Sequence, residues 1–341
     1  MQKVLIFPKD GLGEAIQIYS LCELIKQYYQ AVHKEEVKVY VAEYRLGHLD
    51  ILRGQKQIDD FYQYDRDEND LSVKKLLSKV RHHLLKLSGF DRIIFSTNAV
   101  SLCKSLGIIQ MFLDFKSITL IDATNQNEMF SNLPNLDRYQ NSLNQKLGAE
   151  LAPLVPKIYP TKTSLEKAKK FIQEKNLGDF VVIGQGASSI LKAIPDETAI
   201  SLHATLVGKG YSVVYVDGSS IDKSLQFKNS QIRFKSRNIR DIAALISLSS
   251  MFLGGDSGLT QIAAALGINT VGLYGPTDLR YKPAGAHVFA VEKSLGCKHR
   301  ESPCVVCRHK DAKEDGFGAC MYWLQENDYV AAIDYFQSRL N

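Results

Sequence analysis

Along this chain, short apolar runs alternate with longer stretches in which apolar residues return every three or four positions. The runs have the length of buried strands, and the longer stretches have the period of helices packed on one side. Lys3–Phe7 reads as a strand, Glu14–Tyr29 as an amphipathic helix and Val37–Ala42 as a second strand. Asp59–Tyr64 and Asp91–Ser96 read as shorter strands with a helix between them, and Lys116–Ile121 closes the series. The stretch 150–163 carries Pro153, Pro156 and Pro160 and interrupts the pattern. It then restarts, with helices over Ser164–Lys175, Pro195–Val207 and Arg240–Ser249 and strands over Phe180–Gly184, Tyr211–Asp217 and His287–Val291. Strand–helix alternation of this kind predicts parallel sheets with helices on both faces. The predicted fold class is α/β: two Rossmann-like domains, 1–155 and 156–341, facing across a cleft, with a final helix, Tyr322–Leu340.

In open parallel sheets ligands sit beyond the carboxyl ends of the strands. This chain puts Gly11, Gly186, Gly218 and Gly255 just there. The densest signal is Phe252–Pro276, FLGGDSGLTQIAAALGINTVGLYGP, which reads as strand, tight loop, helix (Thr260–Leu266) and strand (Thr270–Tyr274). Glycines let the backbone turn sharply and let a ligand come close, and the helix start offers free N–H groups and a positive dipole end. The natural guest is a diphosphate, with Ser257 and Gly258 presenting N–H groups. Asp256 suits a helix cap or an acceptor of hydrogen bonds from a sugar or a neighbouring loop. Two other readings stand beside this one. One is a structural βαβ turn. The other is a hydrolase using Ser257, although a nucleophile elbow needs G-x-S-x-G and Leu259 holds the last glycine position. The first loop, Lys9–Glu14, fails as a dinucleotide fingerprint because Ile16 stands at its third glycine.

The run Asp256–Gly267, DSGLTQIAAALG, followed by Gly275-Pro276-Thr277, resembles the heptosyltransferases of glycosyltransferase family 9. The resemblance extends to Val4–Leu21 and Gly186–Pro195. It implies a GT-B arrangement, in which the final helix, Tyr322–Leu340, crosses back onto the first domain, and an inverting transferase without a catalytic metal. The reaction would move a sugar, heptose as first guess, from a nucleotide-diphosphate donor, ADP-linked as first guess. The acceptor would be a hydroxyl of a lipopolysaccharide core, another glycan or a protein. In the first loop Gly13 matches the family glycine and Glu14 lies where the family has a catalytic aspartate; Asp10 is the rival base. The extra methylene of glutamate moves the carboxylate by roughly an ångström, which can cost ~10²-fold unless the site compensates. In the second loop, Gly186 belongs to a small polar stretch leading to Lys192, which matches the lysine that neutralises the donor diphosphate. Charge grows on that leaving group as the glycosidic bond breaks. Pro195 matches as well, but Ile194 replaces a tryptophan. Gln261 stands where the family often carries histidine; it donates a hydrogen bond but carries no proton. Structural alternatives remain: Glu14 as an acid on a helix dipole, and Lys192 as a surface lysine. The departures at Glu14 and Gln261 also keep open a catalytically degenerate nucleotide-sugar-binding homologue or partner subunit.

Composition narrows the partners. The 341 residues, 45% apolar, suffice for two packed cores, and a net charge of +5 is mild. No basic-aromatic pattern points to nucleic acid. No apolar run approaches the ~20 residues of a membrane span, and the first residues begin directly as a strand, so the expected location is cytoplasmic. Charge is concentrated locally in residues 71–90, with Lys74, Lys75, Lys79, Arg81 and Lys86 and no acid. Val73, Leu76, Leu77, Val80, Leu84 and Leu87 give that segment an apolar helical face. Its basic face is either simply solvated or a docking face for anionic lipid or a phosphorylated acceptor, peripheral at the inner membrane.

Four of the six cysteines, Cys297, Cys304, Cys307 and Cys320, lie close together in the tail, spaced C-x6-C-x2-C-x12-C. In a reducing compartment such clustering favours metal over disulfides. Four thiolates suit a structural Zn²⁺ or a single iron in a small Cys-rich C-terminal module. His299 and His309 are substitute ligands. Cys22 and Cys103 sit in apolar helical patterns and read as core residues.

Overall fold

The computed structural model describes residues 1–7, 12–43, 49–63, 89–95, 118–120, 135–152, 154–217, 232–293, 295–297 and 306–340. The chain divides into two compact units, Met1–Leu154 and Val155–Asn341.

The first unit holds strands β1 (Gln2–Phe7), β2 (Val37–Glu43), β3 (Asp60–Gln63), β4 (Arg92–Phe95) and β5 (Ile118–Leu120), with helices α1 (Leu12–Tyr28) and α2 (Asn135–Leu147). The strands form one sheet in the order β3-β2-β1-β4-β5, and every pairing is parallel. The core consists of Leu5, Ile6, Val39, Val41, Ile93 and Ile94 from the sheet and Ile16, Ile18, Leu21 and Ile25 from α1, all buried. The sequence pattern predicts α1 as amphipathic, yet it is buried on nearly every side, down to Gln17 and Ser20. It packs on β2, on α2 and on the short turn Asp50–Leu52, so little of it faces water. Cys22 is part of this core, and burial pushes its thiol up, which keeps it protonated and unreactive. Residues 71–88 of the basic stretch, Asp10 and Cys103 lie outside the described residues.

The second unit runs α3 (Lys162–Glu174), β6 (Phe180–Gly184), α4 (Asp196–Gly208), β7 (Ser212–Asp217), β8 (Ile232–Lys235), α5 (Ile239–Ile246), β9 (Met251–Gly255), α6 (Gly258–Ala265), β10 (Thr270–Tyr274), β11 (Val288–Glu292), α7 (Ala319–Tyr322) and α8 (Glu326–Leu340). Its sheet has the order β11-β10-β9-β6-β7-β8, again wholly parallel. Every residue of β6, β9 and β10 is buried, as expected of parallel strands covered on both faces. Gly184, Gly254 and Gly272 stand in register across these three strands. A Cβ at Gly184 or at Gly254 would lie 2.8 Å from the Phe252 ring, and one at Gly272 would lie 2.6 Å from the Tyr274 ring. The glycine row therefore lets two aromatic rings lie flat on the sheet.

The last segment departs from the sequence reading. The predicted helix over Tyr322–Leu340 is broken at Trp323–Gln325 into α7 and α8. Tyr329, Ile333 and Phe336 of α8 join Leu202, Leu206, Leu253 and Leu273 in the second unit's own core. Among the described residues no helix is long and apolar enough to cross a membrane.

Candidate functional site

In a doubly wound sheet the strand order reverses at one point, and the loops that leave the two strands there in opposite directions open a crevice. In the second unit that point lies between β6 and β9. The loops after these strands carry Gly186 to Lys192 on one side and Asp256 to Gly258 on the other. In the first unit it lies between β1 and β4, and the chain leaving β1 enters α1 with Gly13 and Glu14 in its first turn. Among the described residues, Gly13 and Glu14 follow the first unit's switch point, and Gly186, Lys192, Asp256, Ser257 and Gly258 follow the second's.

The second unit's loops meet directly. Lys192 closes a short 3₁₀ turn, Ile190–Lys192, and its Nζ donates to Asp256 Oδ2 at 2.7 Å. Both side chains are largely buried, at 17% and 12% exposure, where screening by water is weak. The cap of α6 is Ser257, not Asp256: the Ser257 Oγ accepts from the Thr260 N–H at 3.4 Å. Thr260 Oγ1 in turn donates to the Gly255 carbonyl at 2.5 Å. These contacts hold the loop at the start of α6, where a helix leaves N–H groups without intrahelical partners. The hydrogen-bond partners of the Ser257 hydroxyl among the described residues belong to Thr260, with no histidine among them, which does not suit a nucleophilic serine. Gln261 is buried and its Nε2 donates to the Tyr281 carbonyl at 2.8 Å, tying α6 to the turn Leu279–Tyr281.

Three further polar groups in the second unit were not among the candidate site residues. Gln185 Nε2 donates to the Ile194 carbonyl and to Asp196 Oδ1, while its Oε1 is buried without a partner among the described residues. Thr277 Oγ1 and the Tyr274 hydroxyl are likewise buried without one. Burial, with the Asp256 carboxylate adding to it, pushes the Tyr274 phenol well above its ordinary value, so it stays a neutral donor. Thr277 sits in the Gly-Pro-Thr run and was visible as a motif; nothing local marks Gln185 or Tyr274, whose burial is a tertiary property.

Cys297, Cys307 and Cys320 line one cavity of about 300 Å³ with Leu191, Gly275 and Pro276. The Ala319 N–H donates to Cys307 Sγ at 3.4 Å. Thiols turned toward one cavity have the donor chemistry for zinc or iron. Among the described residues, however, no three His, Cys, Asp or Glu side chains gather closely enough to hold an ion, and Cys304 and His299 lie outside those residues. His309 lines the same cavity, but its Nδ1 accepts from the Asp311 N–H. The predicted ligand set is therefore not assembled in the described part of the chain.

The family profile of glycosyltransferase family 9 (heptosyltransferase) matches residues 115–316, more than half of the chain. A family 9 glycosyltransferase from Veillonella parvula superposes with a TM-score of 0.71 at 17% identity, covering 98% of this chain and 97% of that one. The ADP-heptose lipopolysaccharide heptosyltransferase II of E. coli gives 0.70 at 14% identity over 99% of each chain. TibC, an iron-containing dodecameric glycosyltransferase of enterotoxigenic E. coli, gives 0.59 at 13% identity over 99% of this chain and 78% of that one. At these identities the superpositions speak to the fold. Among curated protein sequences no match is found.

Proposed function

This chain belongs to glycosyltransferase family 9, the heptosyltransferase family, and is a glycosyltransferase; from that premise we propose that it transfers a sugar from a nucleotide-diphosphate donor to an acceptor hydroxyl with inversion. The observation that carries this reading is the meeting of Lys192 and Asp256 at the second unit's switch point, beside the capped start of α6. A lysine held there, with the N–H groups of Ser257 and Gly258, supplies positive charge where a leaving diphosphate gains negative charge. Gly186 leaves room in the facing loop. In this reading Lys192 exchanges Asp256 for phosphate as the donor enters, and Asp256 is then free to accept from a sugar hydroxyl. Heptose linked to ADP is the first candidate donor, because heptosyltransferase II, of the same fold, is named for ADP-heptose.

The first unit takes the acceptor role. A carboxylate at the start of α1, Glu14 or the nearby Asp10, accepts the proton of the acceptor hydroxyl as its oxygen forms a bond to the anomeric carbon. The bond from that carbon to the diphosphate oxygen breaks on the opposite face, and the nucleoside diphosphate departs with the electron pair. Lipopolysaccharide core, other glycans and protein hydroxyls are the acceptor classes, with the chain placed in the cytoplasm and the basic stretch 71–90 as a contact to anionic lipid. Zinc or iron on Cys297, Cys304, Cys307 and Cys320 is proposed as structural; elemental analysis of the purified protein and of Cys307→Ser checks it.

Calorimetric titration with ADP, UDP and GDP tests the donor reading. Selective ADP binding, weakened by about 10- to 100-fold in Lys192→Ala, is the expected result for the loss of one charge-assisted hydrogen bond of about 1.5–3 kcal/mol. Binding of none of the three would remove the diphosphate pocket. Binding of UDP or GDP instead would move the donor and keep the pocket.

A further inference from the structure

The turn that carries Lys192 is gripped from two sides by backbone. On one side is Gly255, the last residue of β9, where a Cβ would overlap the carbonyl oxygen of Lys192. On the other is Gly318, in the segment between Cys307 and Cys320, where a Cβ would lie 2.7 Å from the carbonyl oxygen of Leu191. Gly318 has φ −67° and ψ 129°, a conformation open to any residue. What requires glycine there is the close approach and not the backbone angle. In both cases the obstructing atom is a main-chain oxygen, which cannot swing aside as a side-chain tip can.

The segment bearing Gly318 is itself held in place. Thr198 Oγ1, at the start of α4, donates to the Met321 carbonyl at 3.3 Å. Lys313 pairs with Glu197 at 3.1 Å, and the Ala319 N–H donates to Cys307 Sγ. Gly275, at the end of β10, abuts the same segment: a Cβ there would lie 2.7 Å from Cys320 Sγ. The turn has little freedom of its own, because the Lys192, Ala193 and Ile194 N–H groups bond to the Ser189, Ile190 and Gln185 carbonyls. Pushing on Leu191 therefore displaces Lys192 and its ammonium together.

We propose that Gly318 is a positioning residue for Lys192: the cysteine-bearing segment seats the Ile190–Lys192 turn against Gly255 and so sets where the ammonium meets a donor diphosphate. The proposal rests on the reading of Lys192 as the diphosphate ligand. A second role for the tail follows, since whatever orders Cys307 and Cys320 also sets the donor site.

The test is a double-mutant cycle on ADP affinity by calorimetry, with Gly318→Ala, Lys192→Ala and the double variant, each checked by thermal melting. Moving the ammonium by a fraction of an ångström to an ångström should weaken ADP binding by about tenfold in Gly318→Ala. In the Lys192→Ala background the same change should have almost no effect, because there is no ammonium left to misplace. A purely structural role for Gly318 would weaken binding equally in both backgrounds, and that additivity, or unchanged affinity in Gly318→Ala, overturns the proposal. If Gly318→Ala fails to fold, Thr198→Val, which loosens the same segment, takes its place; the same non-additivity with a smaller loss is expected, and additivity or no loss overturns the proposal. Absence of ADP binding by the unaltered protein, or its indifference to Lys192→Ala, overturns the donor reading beneath the proposal and the proposal with it. ADP binding that depends on Lys192 but not on Gly318 overturns the positioning role alone.

Discussion

Lys192 and Asp256 are 64 positions apart in sequence and 2.7 Å apart in space. Neither alone marks a site; together, at a strand end and largely buried, they are the pair on which the proposed donor site rests. The opposite end of the proposed reaction depends on a carboxylate at the start of α1. If Glu14 is the base, Glu14→Gln should lower kcat by about 10²- to 10⁴-fold with ADP affinity unchanged, while Asp10→Asn leaves kcat near the unaltered value. The reverse pattern would assign the base to Asp10. Another charged residue, Asp241, has a structural task. It accepts hydrogen bonds from Ser164, Lys167 and Ser236. Burial works to raise its carboxyl, but those hydrogen bonds and the Lys167 charge outweigh it and hold it below its ordinary value of 3.8. Because the folded value is depressed, the associated stability is complete above the ordinary value and is lost as pH falls through the folded one. Urea denaturation should therefore show Asp241→Asn less stable at neutral pH, with a smaller further loss on acidification than the unaltered protein.

Helix α6 and the strands around it show how local sequence and packing divide the work. Its cap is Ser257, where the sequence pattern points to the neighbouring Asp256, and Ser257→Ala should cost about 1 kcal/mol in chemical denaturation. The glycine row is different. Gly184→Ala should destabilise by about 1–3 kcal/mol through overpacking against Phe252. Phe252→Leu, which removes the ring, should recover part of that loss, so that a cycle of the two gives a clear coupling energy. Most strands and the long helices were legible as elements, because buried parallel strands are unbroken apolar runs: Phe180–Gly184 and Thr270–Tyr274 have the predicted bounds. Asn135–Leu147 was not, since its apolar positions Leu136, Tyr139, Leu143 and Leu147 keep helical spacing but are few in a strongly polar stretch, and neither was the edge strand Ile232–Lys235, with one buried residue. The break between α7 and α8 was hidden for another reason: no proline or glycine marks Trp323–Gln325, and only the packing of each piece requires the bend.

At the scale of the whole molecule, the second unit is completed by its own C-terminus. Phe336→Ala, at a fully buried position under the sheet, should cost about 3–5 kcal/mol and lower the thermal midpoint by several degrees. A near-zero effect would mean that α8 is not part of that core. The sequence by itself determined the alternation of strands and helices, the glycine loops after the strands and the family to which the chain belongs, because these are written in short windows of contiguous residues. Tertiary structure alone decided which loops meet at the switch points, that Asp256 holds Lys192 while Ser257 caps the helix, and that α8 packs within the second unit. It also decided that Gly318 presses on the turn carrying Lys192. Such relations depend on strand order and close approach between distant segments, and no local spacing of residue types encodes a distance across 126 positions of chain.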